Sequence, residues 1–240
     1  MDFLYGYACS TMNDDLLVVR SPGVNFHVLR DGDDLYAIDA GFIGSLVVYR
    51  KELRARGWQQ LPLRGIIVTH GHLDHILNVG RLARETGAWI AAPRLDAAHY
   101  QGVPSYSRWA HVTGVLESVG RPLLGFRRFV PDVLFDDGHF FPHWGGLRVV
   151  HLPGHTWGHS ALYVESRNLL FSADLFSSNE RFSFLPPAIF NHDGALMRES
   201  ARRVLDLPVE QVLPNHGDAA CPGLHRERML RLLEAESIAG

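Results

Sequence analysis

Only two cysteines occur in the 240 residues, Cys9 and Cys221, and they stand near opposite ends of the chain. That excludes a disulfide framework, and nothing around either residue asks for a bridge. Two free thiols suit a reducing compartment, so the expected location is the cytoplasm. No apolar run approaches the length of a membrane span, so no spanning helix is expected. Residues 1–11 lack a basic region followed by an apolar core, so no secretory signal is expected. Charge of one sign is also missing. A net charge of −3 gives no electrostatic case for a nucleic-acid or anionic-membrane partner. There is no Gly-x-Ser-x-Gly elbow to carry a serine nucleophile. No low-complexity segment or linker divides the chain.

What the chain does have is histidine. There are 14, within an otherwise ordinary composition of 46% hydrophobic and 20% charged residues. Four metal-binding side chains fall within His70-Gly71-His72-Leu73-Asp74-His75, directly after the apolar run Ile66-Ile67-Val68. In a loop just past a buried strand, His70 and His72 can turn toward one point and Asp74 and His75 toward a second. A catalytic zinc takes about three protein ligands plus water, so further ligands must come from elsewhere. Candidates stand at strand ends beside turn residues: His155 in Pro153-Gly154-His155-Thr156, Asp174 after Leu169-Leu170-Phe171, and His216 in Pro214-Asn215-His216-Gly217.

Patterning places these residues on an α/β framework. Strands are expected at 16–20, 24–30, 35–38, 64–69, 88–91, 133–135, 147–152, 160–164, 169–172 and 211–213. Helices are expected over 43–56 and 75–85, over 193–205 with Asp193 as cap, and from Pro222 onward. One or two helices are expected in the irregular stretch 93–131, and a loop over 182–191. The length suits one large domain or two small ones.

The ordered set His-x-His-x-Asp-His, Pro-Gly-His-Thr, a strand-ending Asp and a late Pro-x-His-Gly resembles the metallo-β-lactamase superfamily. Ile38-Asp39-Ala40-Gly41 matches it too, so the resemblance runs from Asn25 to Gly217. It implies a single domain over residues 1–240, a four-layer αββα sandwich with a two-metal site at one edge, and a variable substrate wall at about 93–131. By motif position, His70, His72 and His155 would hold one divalent ion, and Asp74, His75 and His216 a second. Asp174 would bridge them, and Asp39 would orient a ligand imidazole. Zinc is the first expectation, with manganese or iron also suited to such ligands.

Two ions sharing a water would lower its pKa, and the bridging hydroxide would attack an activated carbonyl, with Asp74 orienting it and accepting its proton. A small-molecule thioester is the first expectation, possible carriers of the acyl group included. A lactone or other ester comes next. Dedicated β-lactamases of this superfamily do not use Asp at the bridging position, so Asp174 argues against that activity. Acyl-homoserine lactonases of this fold carry a Tyr three residues after the bridging Asp, where this chain has Ser177. Only 24 residues follow His216, few for the C-terminal region that grips glutathione in glyoxalase II. The alternative is a persulfide dioxygenase-like oxidoreductase using one iron on His70, His155 and Asp174. Trp109, Phe176, Phe182 and His192 are the expected substrate contacts, with Tyr100, Tyr106 and Phe184 as further aromatic walls. Oligomeric state cannot be read from these residues.

Overall fold

Alternation along the strands decides which way each side chain points. The structure, a computed structural model, describes residues 14–103, 106 and 110–239. In β1 (Leu16–Arg20), Leu16 and Val18 join one core while Leu17 and Val19 join another. The same split recurs in β2 (Asn25–Asp31), β3 (Asp34–Ile38), β4 (Leu63–Ile67) and β5 (Trp89–Pro93). A sheet that is apolar on both faces must be covered on both. With β6 (Val133–Phe135) these strands form one sheet in the order β1-β2-β3-β4-β5-β6. Pairing is antiparallel from β1 to β3 and parallel from β3 to β6.

The second sheet runs β13-β10-β9-β8-β7. It comprises β7 (Phe140–Phe141), β8 (Leu147–His151), β9 (Ser160–Val164), β10 (Leu169–Ala173) and β13 (Gln211–Pro214). Its strands alternate as well. Leu147, Val149, Leu162, Val164, Leu169 and Phe171 meet the first sheet, and Val150, Ala161, Tyr163 and Leu170 face away. Helices close both outer faces. Leu46, Tyr49 and Leu53 of α1 (Ser45–Ala55) cover the first sheet, with Val79 and Leu82 of α3 (Val79–Thr86). Ala201 of α6 (Gly194–Arg202) covers the second, with Met229 and Leu233 of α7 (Pro222–Ala239). The result is the expected αββα sandwich. Each large apolar side chain fully buried in it contributes roughly 1.5–3 kcal/mol.

Local chemistry sets the element ends. Asp193 caps α6 by accepting from the amides of Ala195 and Leu196, both at 3.0 Å. The helix expected over 75–85 is instead two: α2 (Leu73–Ile76) and α3. They separate at Asn78, whose side-chain amide donates to the carbonyls of Ala40, Gly41 and Phe42. Those contacts tie the start of α3 to the loop after β3. The segment 182–191 is more than a loop. It contains β12 (Ser183–Phe184), paired with β11 (Ser177–Ser178), and a 3-10 turn at Ala188–Phe190. Between β5 and β6 lie α4 (Ala97–Tyr100) and α5 (His111–Leu123). No helix among the described residues is long and apolar enough to cross a membrane.

His27 is an anomaly in this core. It lies fully buried on the inner face of β2, its ring edge-on to Phe171 at 5.0 Å. Burial, then Arg20 and His225, push its pKa down to about 3. Unfolded, it would titrate near 6.5. Between those values the unfolded chain holds the extra proton, so this residue costs stability as pH falls from 6.5 toward 3. We expect the urea midpoint to drop over that range. His27→Phe should flatten the pH slope by up to about one proton, or ~1.4 kcal/mol per pH unit. An unchanged slope would remove His27 from the account.

Candidate metal centre

Every candidate ligand follows the C-terminal end of a strand or sits in the first turn behind one. His70 and His72 come after β4, and Asp74 and His75 lie in α2. His155 follows β8, Asp174 follows β10 and His216 follows β13. The two sheets pack with these ends at one edge, so loops from both converge there. Two donor groups result: His70, His72, His155 and Asp174, then Asp74, His75, Asp174 and His216. Within each group the donor atoms lie within 4.8 Å of one another. Asp174 belongs to both. Its Oδ2 is 3.3 Å from His155 Nε2 and 3.1 Å from His216 Nε2, and its Oδ1 is 3.2 Å from His75 Nε2.

Hydrogen bonds aim the rings. Asp39 lies at the end of β3 in a left-handed backbone conformation, φ 64°. Its carboxylate accepts from the Thr69 amide at 2.7 Å, the Thr69 hydroxyl at 2.8 Å, His75 Nδ1 at 3.0 Å and the Asn215 amide at 2.9 Å. The Thr69 hydroxyl, having given its proton to Asp39, accepts from His70 Nδ1 at 3.0 Å. His155 Nδ1 donates to Asn191 Oδ1 at 2.9 Å, and His216 Nδ1 to the Gly23 carbonyl at 2.6 Å. With Nδ1 engaged in these bonds, Nε2 is the ring nitrogen left to face the centre.

The residues fit divalent ions. The buried Nε2 atoms of His70, His72, His75 and His155, and Oδ1 of Asp174, have no hydrogen-bond partner among the described residues. Buried polar atoms are normally satisfied, so these converge on something the polypeptide does not provide. The acid–base balance agrees. Burial, then His75, hold His70 well below its ordinary pKa, and burial, then His155, do the same to His72. For His216, burial opposes the charge, but Asp174 outweighs it and raises the pKa to about 10. His75 is likewise raised despite burial, by Asp174 and Asp74. Burial opposes ionisation of Asp174, yet His216 and His75 hold its pKa well below the usual carboxylate range. The Asp174 carboxylate is thus held in its charged form between the two groups.

Several residues without a motif signal complete the frame. Asp96, buried after β5, accepts from the Gly71 amide at 2.8 Å, the Thr156 hydroxyl at 2.6 Å and the Gly158 amide at 2.7 Å. One carboxylate thus ties the His70–His75 loop to the His155 turn. Its only hint in the sequence is an acid just past a strand, as at Asp39 and Asp174. Asn215 stands where the family pattern has glycine. It is fully buried, and its amide reaches both Asp39 and the Asn25 carbonyl, the latter at 3.0 Å. Ala173, also in place of a glycine, adopts φ 48°, which explains the usual preference there.

A cavity of about 510 Å³ opens on the centre, and His72, Asp74, His155, Asp174 and His216 form its polar end. Of the expected substrate contacts, Phe176 is buried and lines this cavity. Phe182 does not line it. That residue is 61% exposed and borders a separate depression with Arg181 and Arg228, while Phe184 is the one that reaches the cavity. His192 is buried, packed against Tyr106 at 5.1 Å and Trp157 at 5.3 Å rather than on the cavity wall. Trp109 lies outside the described residues. Tyr106 stacks on the His72 ring at 5.7 Å, and Tyr100 is core, stacked on Phe129.

Sandwich topology and paired His/Asp groups at the sheet edge define a metallohydrolase-type scaffold. The metallo-β-lactamase superfamily profile matches residues 21–216, and the chain belongs to that superfamily. The chain is 27% identical to the probable metallo-hydrolase YflN of Bacillus subtilis, over 75% of this chain and 74% of that protein. It is 31% identical to a hydroxyacylglutathione hydrolase of Rhodobacter capsulatus, over 72% of this chain but only 54% of that relative's length. A metallo-β-lactamase family protein of Thermus thermophilus shares the fold, with TM-score 0.70 and 19% identity over 94% of this chain and 80% of the other. TTHA1623, solved in a di-iron-bound form, aligns with TM-score 0.64 and 25% identity over 88% of this chain and 96% of that one.

Two outcomes follow from this geometry. Asp39→Asn should leave the fold intact and weaken metal binding about 10- to 100-fold, measured by competition with a chelator. Unchanged affinity would show that Asp39 does not orient the rings. His216 also holds a proton in the metal-free protein below pH about 10, and binding must expel it. His75, raised as well, must lose its proton too, so apparent affinity should rise with pH up to that point, with about two protons released near pH 7. Calorimetry in two buffers of different ionisation enthalpy reads this directly, and no release would contradict it.

Proposed function

We propose that the chain is a dinuclear metal-dependent hydrolase of an activated carbonyl, with a thioester as first substrate class and a lactone or other ester next. The observation that carries this reading is the Asp174 carboxylate, shared by two complete His/Asp groups at the polar end of an otherwise largely apolar cavity. His70, His72 and His155 would hold one ion, Asp74, His75 and His216 the other, with Asp174 between them. When bound, two divalent ions bring the pKa of a water toward neutrality and polarise the substrate carbonyl. Zinc is the first choice, and the di-iron form of TTHA1623 supports iron as an occupant of this fold.

The remaining steps belong to the chain's own residues. Asp74 lines the cavity, and its side chain is 31% exposed toward that space. Burial works against its charge, but His75 and His216 hold its pKa below the ordinary value, so it is ionised at neutral pH. An ionised carboxylate facing the cavity can orient water and accept its proton. Leu73 and Phe176 exclude bulk solvent on the same wall, which strengthens every charge interaction inside. The hydroxyacylglutathione hydrolase relative supports the thioester choice, because an acylglutathione is a thioester. The chain is read as acting on a small molecule, with the acyl carrier left open.

Metal content per chain tests the reading first, by elemental analysis of protein purified without added metal. About two ions per chain are expected, as for two-metal hydrolases, with turnover on acyl thioesters. One iron per chain, with oxygen uptake on a persulfide, would instead favour a mononuclear oxygenase using His70, His155 and Asp174. His72→Ala and Asp174→Ala should each abolish turnover with the circular-dichroism spectrum unchanged. Full activity in either variant would overturn the site.

A further inference from the structure

Helix α5 is amphipathic in an inverted sense. Its inward positions are polar or small: Thr113, Gly114, Glu117 and Arg121 are buried. They serve as anchors. Glu117 accepts from the Leu73 amide at 2.8 Å and pairs with Arg121 at 2.6 Å, and Arg121 donates to the His99 carbonyl at 2.9 Å. Thr113 donates to the Ile189 carbonyl at 2.5 Å, fixing the helix to the segment whose Pro186, Pro187 and Phe190 also line the cavity. Thr113 and Glu117 also reach the cavity wall, and beside them runs an apolar stripe. Leu116, Gly120 and Leu124 follow one another at the i, i+4, i+8 spacing, and all three line it.

The middle member of that stripe has no side chain. A glycine inside a helix is destabilising by about 0.5–1 kcal/mol relative to alanine, so its presence asks for a reason. Close packing is not the reason. Among the described residues, a Cβ at Gly120 would meet only Leu73 Cδ2 at 3.6 Å and Leu124 Cδ1 at 3.9 Å, ordinary contact distances, and its φ is not one that favours glycine. Gly114 on the same helix differs, since a Cβ there would come within 2.5 Å of Tyr106. Gly120 therefore leaves a notch in the cavity wall between Leu116 and Leu124, with Leu73 the nearest side chain.

We propose that this notch receives the apolar acyl chain of the substrate, and that Gly120 sets how long a chain is accepted. The inference rests on the hydrolase reading above and adds a substrate class: linear, medium-chain acyl groups, with the carbonyl at the Asp74/Asp174 end. Phe184, Pro187 and Phe190 supply further apolar lining for the chain. Each methylene moved from water to such a wall gains about a three- to fourfold preference.

The test uses the metal-loaded full chain and the acyl thioesters of N-acetylcysteamine from acetyl to decanoyl. For the wild type, kcat/KM should climb about three- to fourfold per methylene and level off at the medium-chain members. Gly120→Phe should lower the octanoyl-to-acetyl ratio by at least about tenfold, a few buried methylenes' worth. Gly120→Ala should lower it less while raising the thermal midpoint, which separates blocking from misfolding. A second readout does not need turnover: fluorescence of bound cis-parinaric acid, displaced by decanoate, should be present in the wild type and lost in Gly120→Phe. A flat length profile that Gly120→Phe leaves unchanged, with thioesters turned over, would overturn the acyl notch and leave the hydrolase reading standing. Parinaric acid bound in a Gly120-dependent way, with no thioester or ester hydrolysed, would keep the notch and overturn the hydrolase reading. Absence of both would overturn both.

Discussion

The Asp39 carboxylate at the end of β3 is the contact on which the rest of this edge depends. It gathers the Thr69 amide and hydroxyl, the His75 imidazole and the Asn215 side chain. A buried carboxylate is costly unless its lone pairs are filled. Here the donors come from the loops after two strands in different sheets, so filling them also locks the sheets in register at the site. His70 is fixed at one remove, through Thr69. The pull of Asp39 on His75 and, through Thr69, on His70 turns each Nε2 toward its own donor group, the two groups joined at Asp174.

Asp96 plays a parallel part on the other side. Its three donors come from the His70–His75 loop and the His155 turn. Gly158 has to be glycine there, since a Cβ would lie 2.8 Å from the Asp96 carboxyl carbon. Glu117 adds a third brace by accepting from Leu73. Three buried acids outside the two donor groups thus hold the loops that carry the candidate ligands. Their desolvation cost is offset by hydrogen bonds that exist only when those loops are in place. Removing one such acid frees its donors and loosens a loop, so it acts on the centre without touching it.

The helical wall shows the same trade-off from the opposite side. α5 buries its polar residues against the metal loop and leaves apolar ones toward the cavity and solvent. Leu116 is 67% exposed and Leu123 78%. For an isolated globular helix that arrangement is unfavourable. It becomes intelligible once the inward polar groups are seen as braces and the apolar stripe as the lining of a binding space. Braces and apolar lining are carried side by side on one short helix, with Thr113 and Glu117 reaching the cavity as well.

Much of this was legible in the residues themselves. The strand-forming runs at 16–20 and 147–152, the cap at Asp193 and helix opening at Pro222, and the spacing of His70, His72, Asp74 and His75 are local properties. Local chemistry reads them directly. The family pattern then ordered the distant candidates His155, Asp174 and His216. What stayed hidden was non-local. The break at Asn78 arises because its amide is drawn to carbonyls 36–38 residues earlier in the chain. Asp96 and Glu117 matter only because folding delivers backbone amides to them from 25 and 44 residues away. Phe182 and Phe184 carry the same ring, and only the hairpin they lie in decides which one meets the cavity. Sequence determined which residues could bind, cap or bury. Tertiary structure decided which of them share a partner, because burial makes a polar group costly until a distant segment satisfies it.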